Sequence, residues 1–167
     1  NALVDMAKRN NWQPCDRFYH ADDLIICSSY LYLESLHVKG VELAATEQII
    51  NEHLSKPHKW KEGDLDSNQP ILWWWCDALF MGAPVITQYA NYLNDYSYLD
   101  KMHQYYLETY NLLFDKEERL FARDLRYVWK ADGKNINEGN GKKIFWSRGN
   151  GHVLAGLAII LDNMPKS

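Results

Sequence analysis

The chain has 167 residues, of which 47% are hydrophobic and 14% are aromatic, and its formal net charge is −4. This length is typical of a single domain with its own core, and an acidic chain without a long run of Lys or Arg is unlike a nucleic-acid-binding protein. The sequence contains no run of ~18 apolar residues, the length that would predict a membrane span. The three cysteines, Cys15, Cys27 and Cys76, have the spacing of neither a disulfide framework nor a zinc site, so we interpret them as free thiols.

Apolar residues recur at helical spacing in the first third of the chain. The predicted helices cover residues 2–9, 20–37 and 41–54. Asp22 and Asp23 fall in the first turn of the second helix, where the helix dipole favours negative charge. The next segment, residues 56–70, is polar, contains proline and glycine, and is predicted to be a loop.

The rest of the chain continues the helical pattern. Predicted helices cover residues 73–93, 98–114 and 149–162. We expect Pro84 to kink or split the first of these, because proline has no amide hydrogen to donate. Residues 120–122 and 127–129 are short and apolar, which favours an extended loop or a small hairpin. Residues 131–143 are rich in Gly, Asn and Lys and are predicted to be a loop.

This order of elements lacks the alternation of strands and helices that builds a parallel sheet. We therefore predict an all-α fold of stacked αα-hairpins, with residues 1–167 forming one domain. The loops that carry most of the Trp, Arg and Asp residues are expected at one end of these hairpins, and a functional site is expected there.

The segment from Trp73 to Met81 places Asp77 shortly after three consecutive indoles. Indole rings exclude water from a neighbouring carboxyl group, and this desolvation favours the protonated form, whereas a helix N-terminus acts in the opposite direction. We expect Asp77 to be a proton-donating acid in an aromatic pocket the size of a sugar. The alternative is an Asp that only caps a helix.

A second carboxylate near Asp77 would push the pKa values of the two groups apart, so that one of them stays protonated. Asp22 and Asp23 are the candidates for this role if the fold brings one of them beside Asp77. Otherwise these two acids compensate the dipole of their own helix.

The segment Trp146-Ser147-Arg148-Gly149-Asn150-Gly151-His152 is the second candidate binding segment. Its two glycines allow a ligand to approach the backbone closely, the helix that starts here offers free amides to an anion, and Arg148 presents a fork that matches a carboxylate. The alternative is a plain loop before a helix. His152 is interpreted as either a pocket base or a surface histidine, and Arg123 as either a pocket residue or a partner of Asp124.

No cluster of His, Cys, Asp or Glu has metal-ligand spacing, and there is no Walker loop or dinucleotide-binding fingerprint. The sequence therefore predicts neither a metal nor a cofactor.

Together, the segments Trp73–Met81 and Phe145–Gly151 resemble the unsaturated rhamnogalacturonyl hydrolases of glycoside hydrolase family 105, close relatives of the unsaturated glucuronyl hydrolases of family 88. The resemblance extends from His20 to Leu161. It implies an (α/α)6 barrel, a ring of six αα-hairpins of which this chain supplies about half.

The resemblance also implies an activity. These enzymes remove the terminal 4,5-unsaturated uronic acid from oligosaccharides that polysaccharide lyases release from pectin. An Asp protonates the C4=C5 double bond and water adds at C5. The implied partner is therefore an unsaturated oligosaccharide, with no nucleic acid and no membrane.

The family's functional residues map onto this chain one by one. The catalytic Asp corresponds to Asp77 and a second pocket Asp to Asp22, while Trp75 and Trp146 would frame the sugar ring. Arg148 would hold the uronate carboxylate or an adjacent hydroxyl group.

The chain departs from the family pattern at two positions. His152 stands where the family usually has a Trp, which removes a stacking face beside the next sugar and adds a titratable group. Arg123 stands where the family often has a pocket His.

Two other functions fit parts of the sequence. The short length fits a non-catalytic sugar-binding or scaffold fragment. Another (α/α)6 enzyme, such as a sugar epimerase, would rely on a pair of histidines, and the sequence shows no convincing pair.

Overall fold

A computed structural model describes residues 2–55, 71–129 and 136–165, and these residues are mostly helical. The helices are α1 (Ala2–Arg9), α2 (Ala21–Ser35), α3 (Ala44–Ser55), α4 (Ala78–Met81), α5 (Ala83–Leu93), α6 (Ser97–Leu113) and α7 (Ser147–Asn163). A two-stranded antiparallel sheet joins β1 (Phe114–Asp115) to β2 (Leu120–Phe121), and a 3₁₀ turn covers Leu125–Tyr127. The predicted loop at 56–70 and part of the one at 131–143 lie outside the described residues.

Helix α5 is the centre of the described core, because it packs against α2, α4, α6 and α7. Val85, Ile86 and Ala90 are fully buried on it, and Tyr89 is almost so. Burial of one large apolar side chain stabilises a fold by about 1.5–3 kcal/mol. The all-α prediction is therefore confirmed, and α5 supplies the frame on which the neighbouring helices are placed.

The predicted helix over residues 73–93 is wrong at its start. Residues 73–75 precede the helical part, Trp75 forms an isolated antiparallel bridge with Asp124, and helix begins only with α4. The expected break occurs at Gly82, which leaves Pro84 as the second residue of α5. Proline is tolerated there because the first amides of a helix have no intrahelical acceptor.

A small hairpin is present, but residues 120–121 pair with residues 114–115 and not with the predicted residues 127–129. Phe114 pairs with Phe121 and Asp115 with Leu120, so α6 ends at Leu113. Tyr127 instead ends a 3₁₀ turn, which the Asp124 side chain caps by accepting the Arg126 backbone N–H at 3.0 Å.

Helix α7 lies unusually close to α4. A Cβ atom at Gly149 would stand 2.5 Å from Cys76 Sγ, and one at Gly156 would stand 2.6 Å from the Leu79 carbonyl oxygen. These two glycines are seven residues apart, so they lie on one face of the helix. The close approach brings the start of α7 to the segment that carries Asp77.

In the part of the chain that the structure describes, no helix is both long enough and apolar enough to cross a membrane.

Candidate active site

Asp77 lies at the junction between the tryptophan segment and α4. It is only 5% exposed and occupies the N-cap position of α4, yet its side chain makes no capping hydrogen bond. Its Oδ1 atom instead lies 2.7 Å from Nδ1 of His152 on α7. The interpretation of Asp77 as a simple helix cap is therefore wrong.

His152 is held in the site by α4 as well as by Asp77. Its imidazole stacks on the Phe80 ring with a centroid separation of 4.9 Å and an interplanar angle of 14°. Its side chain is 31% exposed, compared with 8% for that of Asp77. His152 is therefore bound to a buried carboxyl group and reaches solvent more readily than that group does.

Trp75 is a buried aromatic residue two positions before Asp77. It is 6% exposed, and its ring lies 4.8 Å from that of Trp74 and 4.7 Å from that of His20. His20 is the N-cap residue of α2 and accepts the Asp22 backbone N–H. The predicted neighbours Trp75 and Asp77 are therefore joined to the start of α2.

The two acids at the start of α2 are arranged differently. The Asp22 side chain is 45% exposed and lies 3.6 Å from His20 Nδ1, and among the described residues no hydrogen bond joins it to Asp77. Asp23 is buried and is bound by Arg17 at 2.5 Å. Asp23 is thus paired with Arg17. Asp22 contacts His20, which in turn contacts Trp75, and no hydrogen bond joins Asp22 to Asp77 among the described residues.

A buried carboxylate, Asp124, organises the loop on the other side of Asp77. It accepts hydrogen bonds from Arg123 Nη1 at 2.8 Å and from Arg126 Nε and Nη2 at 2.9 and 2.8 Å. Burial opposes ionisation of Asp124, but the hydrogen bonds and charge of Arg126 and Arg123 outweigh it and hold its pKa below the ordinary value. The structure therefore contains the ion pair between Arg123 and Asp124 that was one of the two interpretations of Arg123.

That pair does not remove Arg123 from the site. The Arg123 carbonyl oxygen accepts the Cys76 N–H at 2.9 Å, and its guanidinium carbon lies 5.5 Å from the centre of the Trp146 ring. Arg123 therefore belongs both to the ion pair and to the pocket wall.

Trp146 and Arg148 contact each other directly. The Arg148 guanidinium carbon lies 4.0 Å from the centre of the Trp146 ring, within the range of a cation–π contact. Trp146 also lines an open cavity of about 280 Å³ with Arg123, Tyr127, Ile144 and Phe145. The predicted pairing of Trp146 with Arg148 is present, and Arg123 joins it.

The glycine-containing segment is used differently from the expectation. Gly149 packs against Cys76 and Trp146, so its close approach is to protein. A Cβ atom at Gly151 would meet no described atom within 4 Å, and the binding loop stays a prediction. The Asn150 side chain binds both backbone groups of Phe121, accepting its N–H at 2.8 Å and donating to its C=O at 3.0 Å. Sequence reasoning missed this clamp, since nothing near Asn150 in the chain indicates its partner.

The described residues support neither a metal site nor a cysteine nucleophile. Across the described ranges, no three His, Cys, Asp or Glu side chains gather into a group that could hold a metal ion. Burial raises the pKa of the Cys76 thiol to about 12, which keeps it protonated and a poor nucleophile. The chemically capable groups are therefore the Asp77 carboxyl and the His152 imidazole.

Comparison with known proteins places this site in a family. The profile of Glycosyl Hydrolase Family 88 matches residues 1–167. The chain belongs to glycosyl hydrolase family 88. This assignment confirms the relationship predicted from the tryptophan segment and the Arg148 segment, in which family 88 is paired with family 105.

Individual members of these families support the assignment. The chain is 52% identical to an unsaturated 3S-rhamnoglycuronyl hydrolase of Formosa agariphila, over 98% of this chain and 45% of that protein. A family 88 glycosyl hydrolase from Bacteroides vulgatus is 25% identical with a TM-score of 0.81, over 99% of this chain and 48% of that one.

A family 105 glycoside hydrolase from C. acetobutylicum, 20% identical with a TM-score of 0.64 over 88% of this chain and 41% of that one, shares the fold. The chain thus spans about half the length of its relatives, as predicted for part of a helical barrel.

Proposed function

We propose that the protein containing this family 88 chain is a hydrolase that removes a terminal 4,5-unsaturated uronic acid from oligosaccharides produced by polysaccharide lyases. The observation that carries the proposal is the buried Asp77 carboxyl, which follows Trp75 by two residues and is hydrogen-bonded to a second titratable group, His152. The similarity to an unsaturated rhamnoglycuronyl hydrolase supports the same class of substrate. Residues 1–167 would form part of a single (α/α)6 barrel catalytic domain.

The proposed reaction uses Asp77 twice. The protonated carboxyl donates its proton to C4 of the C4=C5 double bond, which leaves positive charge at C5 and the ring oxygen. Water then attacks C5 and returns a proton to the Asp77 carboxylate, so the acid is regenerated. The resulting hemiketal opens and releases the next sugar. Because no nucleophile attacks the anomeric carbon, the paired carboxylates of ordinary glycosidases are not required.

The other site residues would bind the substrate. Trp75 and Trp146 would frame the unsaturated ring, as aromatic faces commonly do for sugars. Arg148 would pair with the uronate carboxylate, because a guanidinium fork matches a carboxylate, and Arg123 would face the neighbouring sugar from the cavity wall. Asp22 would contact a sugar hydroxyl from the start of α2.

Two substrate classes are under consideration. One is the pectin-derived rhamnogalacturonan oligosaccharide, and the other is the 3S-rhamnoglycuronyl class named for the Formosa relative. Arg123, Arg126 and Arg148 outnumber Asp124, the carboxylate that binds two of them, so the charge of this group of residues is positive. That charge favours substrates with an anionic group besides the uronate.

The test measures the loss of the alkene's ultraviolet absorbance with the full-length protein. Asp77→Asn should reduce kcat by roughly 10²–10⁴-fold, the usual contribution of a general acid. Asp100→Asn, at an exposed position on α6, is the matched control and should leave the rate unchanged. Wild-type turnover in Asp77→Asn would contradict the proposal. Assays with rhamnogalacturonan-derived and 3S-rhamnoglycuronyl oligosaccharides then separate the two substrate classes.

A non-catalytic sugar-binding role is the second candidate, and the open cavity beside Trp146 is the observation that favours it. An aromatic and arginine-lined surface of this kind can bind a sugar whether or not the sugar carries an alkene. Calorimetric titration with matched saturated and unsaturated disaccharides separates the two functions. Equal affinity with the alkene left intact would favour binding alone.

A further inference from the structure

We propose that His152 is the positioning residue for Asp77: it holds one carboxyl oxygen in place and leaves the other to deliver the proton to the substrate. This inference rests on the proposed function. Its geometric basis is the 2.7 Å contact between His152 Nδ1 and Asp77 Oδ1, a length typical of a charge-assisted hydrogen bond. His152 would thus act through Asp77 and not as a stacking surface for the sugar.

The imidazole is fixed from two directions. The Phe80 ring lies nearly parallel to it at 4.9 Å, and Gly149 and Gly156 let the helix backbone approach α4 closely enough for the contact. A ring held in this way has few alternative rotamers, so Asp77 Oδ1 meets one donor in one orientation. Fixed orientation of a catalytic group is a large part of its effectiveness.

The other carboxyl oxygen is left for the substrate. Within the described residues no hydrogen bond reaches Asp77 Oδ2, whereas Oδ1 is bound by His152. In the competent state, the proton sits on Oδ2 and Nδ1–H of His152 donates to Oδ1. After the proton has passed to C4, the same Nδ1–H stabilises the new carboxylate until water returns a proton to Oδ2.

Charged side chains near the pair lie on α7 and on the loop that carries Asp124. On α7, Arg148 lies one turn before His152 and stacks on Trp146. On the loop, Arg123 is paired with Asp124, which Arg126 also binds. The neighbouring Cys76 thiol is kept protonated by burial, which raises its pKa to about 12.

The helices behind the pair contribute little charge of their own. On α2, Asp23 is paired with Arg17, and Asp22 lies against His20. The titratable side chains of α5 are Tyr89 and Tyr92, and burial raises the pKa of both hydroxyl groups, so they remain neutral. Within the described residues, the imidazole of His152 is the titratable side chain that hydrogen-bonds to the Asp77 carboxyl group.

The decisive pair of variants is His152→Leu and His152→Asn in the full-length protein, because a Leu side chain cannot donate a hydrogen bond to Oδ1 whereas an Asn side chain can. We expect kcat of His152→Leu to fall by about tenfold, roughly one hydrogen-bond energy, with KM unchanged, and His152→Asn to restore part of that loss. His103→Leu, at an exposed position on α6, is the matched control and should keep the wild-type kcat.

Two results would overturn the inference. One is a wild-type kcat in His152→Leu, and the other is a rise in KM with kcat unchanged, which describes a sugar contact. Phe80→Leu is a second variant: it keeps both groups but loosens the imidazole, so kcat should fall while KM stays unchanged. Equal losses of kcat in His152→Leu and His152→Asn would also contradict the inference.

A measurement independent of turnover separates this inference from the proposed function. The Nδ1–H proton resonance of His152, identified by its loss in His152→Asn, is compared between wild type and Asp77→Leu. A hydrogen bond to Asp77 predicts a downfield resonance in wild type that moves upfield or is lost in Asp77→Leu. Identical resonances would refute the inference, whereas failure of the wild-type protein to consume any unsaturated oligosaccharide would refute the proposed function.

Discussion

At the scale of single residues, a buried histidine fixes the tryptophan segment that leads to Asp77. His53 is 1% exposed, its Nδ1 lies 2.6 Å from the Phe18 carbonyl oxygen, and its Nε2 lies 3.0 Å from the donor Nε1 of Trp73. Because a carbonyl oxygen can only accept, Nδ1 carries the proton and Nε2 accepts from the indole. Thr109 completes the anchor by donating to the Trp73 carbonyl oxygen at 2.7 Å.

Replacing His53 with Leu should leave the indole N–H of Trp73 buried without an acceptor. We expect the free energy of unfolding to fall by about 1–3 kcal/mol, the cost of an unsatisfied buried group. Urea denaturation measures the change, and the double variant His53→Leu/Trp73→Phe should recover part of it because both polar partners are then absent. A single-variant loss no larger than that of His103→Leu, at an exposed position, would argue against this anchor.

Asp124 makes stability depend on pH in a defined direction. Its folded pKa is held below the ordinary value of 3.8, so its contribution to stability is fully present above about pH 4 and is lost as the pH falls through the folded value. The difference in free energy of unfolding between wild type and Asp124→Asn should therefore be largest near neutral pH and shrink in acid. Urea denaturation at a series of pH values measures it. A difference that is constant with pH would contradict this assignment.

At the scale of elements, the contact between α7 and α4 brings Asp77 and His152 together. Gly156→Ala would place a Cβ atom 2.6 Å from the Leu79 carbonyl oxygen and 3.0 Å from Phe80 Cα, so α7 must move away from α4. Overpacking of this kind costs about 1–3 kcal/mol, and turnover should fall with it because the 2.7 Å contact lengthens.

The same substitution at Gly151 is the matched control for Gly156→Ala. A Cβ atom there meets no described atom within 4 Å. Alanine is preferred to glycine inside a helix by about 1 kcal/mol. We therefore expect thermal unfolding to show a stabilised Gly151→Ala and a destabilised Gly156→Ala. Equal effects at the two glycines would mean that the seam between α4 and α7 is looser than described.

At the scale of the whole molecule, the sequence predicted the helices well where an apolar stripe determines them. The pattern predicted residues 2–9 and 98–114, and the structure has helices at Ala2–Arg9 and Ser97–Leu113. Local pattern failed at residues 73–75, because those bulky side chains are held by partners distant in sequence. Trp73 binds His53 and Trp75 forms a bridge with Asp124, and neither contact is visible in the spacing of apolar residues.

The contacts of the site also divide into those between residues close in sequence and those between residues far apart in sequence. The proximity of Trp75 to Asp77 and of Trp146 to Arg148 follows from short spacing and was predicted. The bond between Asp77 and His152 spans 75 positions of the chain, so only the packing of α7 on α4 creates it. The clamp between Asn150 and Phe121 is of the same kind, and it was missed for the same reason.

The arginines around Trp146 have one further consequence. A free arginine side chain gives up as much as ~2 kcal/mol of rotamer entropy when it is immobilised. Arg148 already rests on the indole, and Arg123 is held between that ring and the buried Asp124. This ordering is completed during folding, so an arriving anionic sugar meets cations whose freedom is already reduced, and more of the attraction between them is retained as affinity.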